Sequence, residues 1–458
     1  MTQTNIRFPP RYGHAAIFLL TFALTLTIRV WDIHRHFWLL EDQIRDWSIA
    51  LHPLSELPLV GPPTHVHGYT IGPAFYWILW SIRVTVGPWF QNLPHAGGIG
   101  QAMLQSAADA VLLAAVWRRT KSVWIALATV VLLATASYDL CLSALIWNPM
   151  VGSALAKMAT ALVLLQWPDR SAAGVGATAA AAWCAVQSYT GAIFVAVGVF
   201  VALLAGPCGR RDWVALRRNA CIIAAVVALL QVPYAIHQVS TRFRDSGMTA
   251  VTGSVGQIVT GHQAPQLAKS WMGYTGAFNF ILLSPWQPQW SPWVLVVSAI
   301  VVASRFRRDL SLLSVTLVPQ LMAIVGYAFY VGDFLDHYYY LSLLPAAVLT
   351  LMLSLTALRP VPVARVASLA VLVGALVIVP SRMRFASTMH RMPEYGVLVD
   401  GSRGLLKQQR AVRAIKTDFA LLPTADPQFI YRILGGRIEP TSRWIAVIKA
   451  DGHVIYQD

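Results

Sequence analysis

The chain has 458 residues, 56% of them hydrophobic and only 12% charged. A soluble domain carries about 25% charged residues, so composition excludes a soluble enzyme and points to a multi-span membrane protein. The formal net charge of +15 lies in short basic clusters between apolar runs, not in one patch or arm. That distribution excludes a nucleic-acid partner and is the signature of cytoplasmic loops.

Taken in order, residues 1–13 are short and polar with Arg7 and Arg11, and are expected inside. Residues 14–30 form the first span; no small-residue cleavage site follows, so it reads as retained. Residues 31–97 make an outer loop with the most acidic short run of the chain, Glu41-Asp42-Gln43-Ile44-Arg45-Asp46. Within it, residues 71–88 are apolar enough to cross, yet Arg83 and Gly87-Pro88 make them short and amphipathic. If they crossed, Arg118-Arg119-Thr120-Lys121 at the end of the next span (98–117) would fall outside. Residues 71–88 are therefore predicted to be a juxtamembrane or re-entrant helix.

Spans follow at 122–138 and 150–167, with an outer turn at 139–148 between them and Pro168-Asp169-Arg170 inside. Residues 172–205 are too long for one helix and are predicted to be two, turning outside near Gln187-Ser188-Tyr189-Thr190. Arg210, Arg211, Arg217 and Arg218 mark an inner loop, and 220–236 leads out to a polar loop at 237–270. Residues 271–286 read as a second interfacial helix. The span 291–304 returns to Arg305-Phe306-Arg307-Arg308, and 310–331 leads out to Gly332-Asp333-Phe334-Leu335-Asp336-His337. Residues 338–358 lead back to Arg359 and Arg365, and 366–379 are the last span.

The expected fold is an all-α polytopic membrane protein of about eleven transmembrane helices, with residues 1–380 as the multi-span domain. Residues 381–458 are charged, with turns at Pro423 and Asp426-Pro427, a helical pattern over 405–419 and a strand pattern at 444–448. They read as a small α/β exoplasmic domain. Cys141, Cys184, Cys208 and Cys221 have neither metal-site spacing nor a disulfide-framework pattern.

Carboxylates crowded at a lipid–water boundary are expensive to keep ionised unless something uses them. Asp42 and Asp46 are four apart and share a helix face, with Glu41 to one side. One of them held at the boundary would serve as a general base. The pair could equally hold a divalent cation, Mg or Mn, that neutralises a phosphate, or Asp46 could simply pair with Arg45 on a solvated face. Tyr76, Trp77, Trp80 and Trp89 fit an interfacial aromatic belt or a sugar-stacking surface. Gly61-Pro62 and Gly72-Pro73 set sharp turns. Asn148 in Trp147-Asn148-Pro149 could cap the following span or hydrogen-bond a sugar hydroxyl. A phosphate outside needs fixed cations; Arg242 and Arg244 lead the candidates, with Lys269, His262 and His337 behind them. Arg242 and Arg244 could also be snorkelling anchors. His337 beside Tyr338, Tyr339 and Tyr340 could be an interfacial histidine or a ligand contact.

Asp42-Gln43-Ile44-Arg45-Asp46 after the first span, Gly61-Pro62-Pro63-Thr64, Gly72 to Trp77, Trp147-Asn148-Pro149, and His337-Tyr338 with Pro345 occur in a distinctive order. That order resembles bacterial membrane glycosyltransferases of the GT-C superfamily, in the clan of protein O-mannosyltransferases and lipid A aminoarabinose transferases, over roughly residues 15–350. The resemblance implies a GT-C-like fold, a polyprenyl-phosphate-linked sugar as donor, and an active site facing the periplasmic side of a bacterial inner membrane. It also implies a first-loop Asp as general base, at the position of Asp42, with inversion at the anomeric carbon. The acceptor would be a hydroxyl or amine of a glycan, a lipid or a protein. Better-known clan members place another acidic residue in the second outer loop; here that loop offers Asp139 and Asn148. The competing reading is a transporter or lipid-linked-sugar flippase. It calls for charged groups at mid-membrane, where the sequence offers Asp109 and Lys157.

Overall fold

A computed structural model describes residues 11–64, 68–167, 170–244, 256, 260–261, 264–284, 286–329, 336–358, 360–389, 391–421 and 426–458. Long apolar runs broken by basic turns give a helical chain. It begins with α1 (Arg11–Val30), short α2 (Ile33–His36), α3 (Glu41–Leu51) and α4 (Ala74–Thr85). The long hairpins follow: α5 (Pro94–Thr120), α6 (Val123–Ala134), α7 (Ser137–Leu142), α8 (Asn148–Leu165), α9 (Ala172–Ser188), α10 (Ile193–Gly209) and α11 (Trp213–Ser240). Then come α12 (Leu267–Leu283), α13 (Ser291–Arg305), α14 (Leu310–Ala328), a 3-10 turn (His337–Leu343) running into α15 (Leu344–Ser354), and α16 (Val361–Thr388).

Every predicted span corresponds to a helix. Among the described residues eight helices are long and apolar enough to cross a membrane, α1, α5, α8, α10, α11, α14, the one formed by the 3-10 turn with α15, and α16. α6 and α13 are shorter apolar helices, and α9 has 17 residues. The break expected near Gln187 falls where α9 ends at Ser188. α4, with 12 residues, is too short to span about 30 Å, in keeping with its prediction as a juxtamembrane helix.

The basic turns meet at one end of the bundle. Arg119 pairs with Asp309 and lies 5.3 Å from the centroid of the Trp167 ring, with Arg170 at 5.7 Å from the same ring. Arg218 Nη2 donates to the Arg170 carbonyl at 3.0 Å. Pro168-Asp169 lies outside the described residues. At the other, acidic end, Gln43 Nε2 reaches the Ile146 carbonyl (3.0 Å), and the Trp147 and Tyr338 rings meet edge-on at 5.2 Å. α5 has 27 residues, so at 1.5 Å per residue it separates His95 at the acidic end from Arg118 at the basic end by about 35 Å.

The C-terminal region adds α17 (Glu394–Gln408), β1 (Ala414–Thr417), α18 (Pro427–Ile433), β2 (Ile445–Ile448) and β3 (Val454–Gln457). β1 pairs parallel with β2, Ala414 against Ile445, and β2 antiparallel with β3, Ile445 against Gln457. The helix expected over 405–419 is not formed: α17 ends at Gln408, and 414–417 is a strand. Its partner lies about thirty residues on, a non-local pairing that outweighs the local helical pattern. This region seats on the acidic end. Buried Tyr395 on α17 meets the His95 ring nitrogen Nδ1 at 2.9 Å and packs edge-on against Phe37 at 5.3 Å. Gly396 allows the close approach, since a Cβ there would stand 3.2 Å from the Arg35 Cα.

Candidate active site

α3 is a short amphipathic helix whose first turn carries Glu41 and Asp42, favourable against the helix dipole. The Gln43 side chain turns back to accept from the Leu40 amide at 3.1 Å. Its buried face is Gln43, Asp46, Trp47 and Ala50, the three-to-four spacing of a helix stripe. Gln43 is held by the Ile146 carbonyl, and Trp47 Nε1 donates to the Asn92 carbonyl at 2.7 Å. These two bonds anchor the buried face of α3 and so set the direction of its exposed side.

On that scaffold four of the predicted site residues come together. Arg45 Nη1 donates to Asp42 Oδ1 at 2.7 Å and Arg45 Nε to Asp46 Oδ1 at 2.8 Å. Tyr76 on α4 donates its hydroxyl to the same Asp46 oxygen at 3.0 Å. The two carboxylates differ sharply in setting: the Asp42 side chain is 56% exposed and that of Asp46 2%. Burial pushes the Asp46 carboxyl up to about 6, against the opposing pull of Arg45 and Tyr76. Burial and the neighbouring Asp46 also hold the Tyr76 phenol well above its ordinary range, so it stays a donor. The pairing of Asp46 with Arg45 is thus real, but on a buried rather than a solvated face. Asp42 Oδ2 has no protein partner among the described residues, and Glu41 is exposed. Among those residues no group of three or more His, Cys, Asp or Glu side chains gathers in metal-holding geometry. The Arg45 guanidinium itself stands where a cation bridging Asp42 and Asp46 would.

The Gly-Pro turns build the neighbouring wall. The Gly61 amide donates to the Thr70 carbonyl at 3.2 Å and the Thr70 amide to the Pro62 carbonyl at 3.0 Å, and a Cβ on Gly61 would overlap the Thr70 side chain. Gly72 lies directly on Gln187 at the end of α9. Gln231 on α11 donates to the Ile71 carbonyl at 2.8 Å. Among the described residues Gln187 Oε1, Ser188 Oγ and Thr70 Oγ1 are buried without a hydrogen-bond partner. From sequence, Gln187 and Ser188 read only as a turn. The available signal was a polar run inside a long apolar stretch.

Asn148 does not cap α8: Trp147 holds the cap position, and Asn148 Nδ2 donates to the Ser188 carbonyl at 3.0 Å. Asn148 thereby ties α8 to the α9–α10 turn, while Trp147 brings Tyr338 alongside. Tyr338 stacks on Tyr339 at 4.6 Å and His337 on Phe280 at 4.5 Å. Arg242 and Arg244 are exposed in the turn after α11, a helix whose His237 reaches Tyr69 of the first loop at 6.2 Å between ring centroids. Among the described residues no hydrogen bond or ion pair joins Arg242, Arg244 or His337 to the Asp42–Arg45–Asp46 cluster. His262 and residues 332–335 of the second acidic loop lie outside the described residues.

The charges at mid-bundle form a separate closed network that the sequence did not reveal. Arg29 donates to Asp139 (2.6 Å), Asp109 (2.5 Å) and Ser106 (2.9 Å). Lys157 donates to Asp109 at 2.6 Å and Gln105 at 3.0 Å. Two cations and two carboxylates, all buried, neutralise one another. Asp139 is therefore engaged in structure and offers no second carboxylate to the site. Asp109 and Lys157 satisfy each other instead of lining a path for charged cargo.

An acidic first loop thus sits on a many-helix bundle, with an exposed carboxylate at its rim. The fold is GT-C-like, as the comparison with solved structures shows. ArnT from Cupriavidus metallidurans bound to undecaprenyl phosphate superposes with a TM-score of 0.57 at 15% identity, covering 92% of this chain and 85% of that one. Its apo form gives 0.56 at 15%, with the same coverage. The apo oligosaccharyltransferase of Archaeoglobus fulgidus gives 0.50 at 12% identity, covering 93% of this chain and 64% of that one. No protein-family model and no curated protein matches the sequence.

Proposed function

We propose that this protein is a membrane glycosyltransferase that moves a sugar from a polyprenyl-phosphate donor to an acceptor hydroxyl or amine at the acidic end of the bundle. The observation that carries the reading is Asp42: an exposed carboxylate with one oxygen held by Arg45 and the other open among the described residues, on a helix anchored by its buried face. The GT-C fold supports it, because a solved member of that fold holds undecaprenyl phosphate.

Asp42 Oδ2 takes the proton of the acceptor as its oxygen or nitrogen attacks the anomeric carbon. The bond from that carbon to the phosphate oxygen breaks, and the polyprenyl phosphate leaves with the electron pair. Attack in line opposite the leaving group inverts the centre. Arg242 and Arg244 are the cations we assign to the departing phosphate, with Asn148, Tyr338 and His337 as contacts to the sugar. Glu41 completes the acidic rim of the acceptor side. Asp46 and Tyr76 are positioning residues: too buried to touch substrate, they hold Arg45, and Arg45 aims Asp42. Positioning and charge stabilisation supply most of the rate enhancement in such a site. We place the acidic end, with residues 381–458 seated on it, on the periplasmic side of a bacterial inner membrane.

The test is reconstitution of the purified protein in sealed vesicles with radiolabelled sugar-phosphoundecaprenol and an extract of envelope acceptors. A transferase releases undecaprenyl phosphate and labels an acceptor. Movement of intact labelled lipid between leaflets, without release, would replace this reading with a flippase.

A further inference from the structure

The basic end carries an apolar crevice that the proposed chemistry does not use. It opens between α1, α5 and α8, with a volume of about 220 Å³, and its walls include Ile17, Phe18, Leu113 and Leu165. Two cations, Arg118 and Lys121, stand at its mouth and are exposed. α1 packs lightly on the bundle, with only 17% of its span buried within the protein. The turn bearing Lys121 also begins α6, whose first amides add positive potential beside the mouth.

An apolar slot facing lipid needs an apolar occupant, and two cations at its polar end select a negative headgroup. We infer that the crevice is a binding site for an anionic glycerophospholipid of the leaflet at the basic end. One acyl chain lies along Leu113 and Ile17, and the phosphate sits against Arg118 and Lys121. Arg can take a phosphate bidentately, while Lys contributes a point charge. The occupant is separate from the proposed donor, since α5 puts about 35 Å between the two ends.

The test uses the full chain in nonionic detergent, incubated with equal amounts of palmitoyl-oleoyl phosphatidylglycerol and phosphatidylcholine, and native mass spectrometry of the lipids retained. The wild type is expected to retain phosphatidylglycerol in preference. Arg118→Gln with Lys121→Gln, both at exposed positions, should reduce that retention on the order of tenfold and leave phosphatidylcholine unchanged. Ala114→Phe, which fills the slot, should reduce retention of both lipids. Equal retention of the two lipids by the wild type would overturn the site, leaving Arg118 and Lys121 as topology signals only. Unchanged phosphatidylglycerol retention in the double variant or in Ala114→Phe would overturn it as well. The readout needs no sugar transfer, so it stands or falls apart from the proposed activity.

Discussion

Asp46 is the residue whose protonation state has the most to say about how the cluster works. Its carboxyl is lifted by burial to about 6, above an ordinary carboxyl near 4. Between those values the folded chain holds a proton that the unfolded chain has released. This group's contribution to stability therefore falls as pH rises from about 4 to 6 and is level above. Activity should run the opposite way, because only ionised Asp46 holds Arg45: transfer should drop as pH falls through about 6. Asp46→Asn, which fixes the neutral state, should show low transfer without that acid limb, read from a pH–rate profile. Tyr76→Phe removes a hydrogen bond to the ionised form, so the limb should move to higher pH, with a stability loss of about 1 kcal/mol. An unmoved limb in Tyr76→Phe would detach the limb from Asp46.

The helices owe their close packing to small residues at particular contacts. Gly98 on α5 abuts the Ala144 carbonyl, which a Cβ would overlap, and a backbone atom cannot swing aside. Gly98→Ala should destabilise the protein by about 1–3 kcal/mol or more, seen as a lower melting temperature in detergent. Gly374→Ala on α16, where nothing lies within 4 Å, should be neutral or gain up to about 1 kcal/mol. If both substitutions behave alike, helix propensity rather than packing governs these positions. Arg382, fully buried on α16, shows a second kind of helix contact. It donates to Thr135 at the end of α6 and to Leu282 and Ser284 at the end of α12, so it closes the carbonyl ends of two helices at once.

Across the whole molecule, the placement of spans was readable because apolar runs and basic turns alternate locally; the α9–α10 break and the interfacial α4 followed from length and charge alone. The first-loop cluster was partly readable for the same reason, with Asp42, Arg45 and Asp46 within one helical turn. What stayed hidden is non-local. Arg29 and Asp139 are 110 positions apart, so each reads from sequence as an end-of-span residue, and only packing reveals that they close a network with Asp109 and Lys157. The strand at 414–417 is not legible because its partner is distant, and the bond from Asn148 to the Ser188 carbonyl is not because its acceptor is on another helix. The network yields a prediction of its own. Asp109→Asn leaves excess buried positive charge and should cost about 3–5 kcal/mol, whereas Asp109→Leu with Lys157→Met leaves the Arg29–Asp139 pair neutral and should recover most of the lost melting temperature. A double variant no more stable than the single would show that the network is not a charge balance.

In the proposed reaction Asp42 is the group that takes the acceptor proton. The decisive measurement is transfer of radiolabelled sugar from phosphoundecaprenol by purified Asp42→Asn beside the wild type. Loss of at least about a hundredfold in rate, with donor still bound and the melting temperature unchanged, is the expected result; wild-type transfer by Asp42→Asn would contradict it.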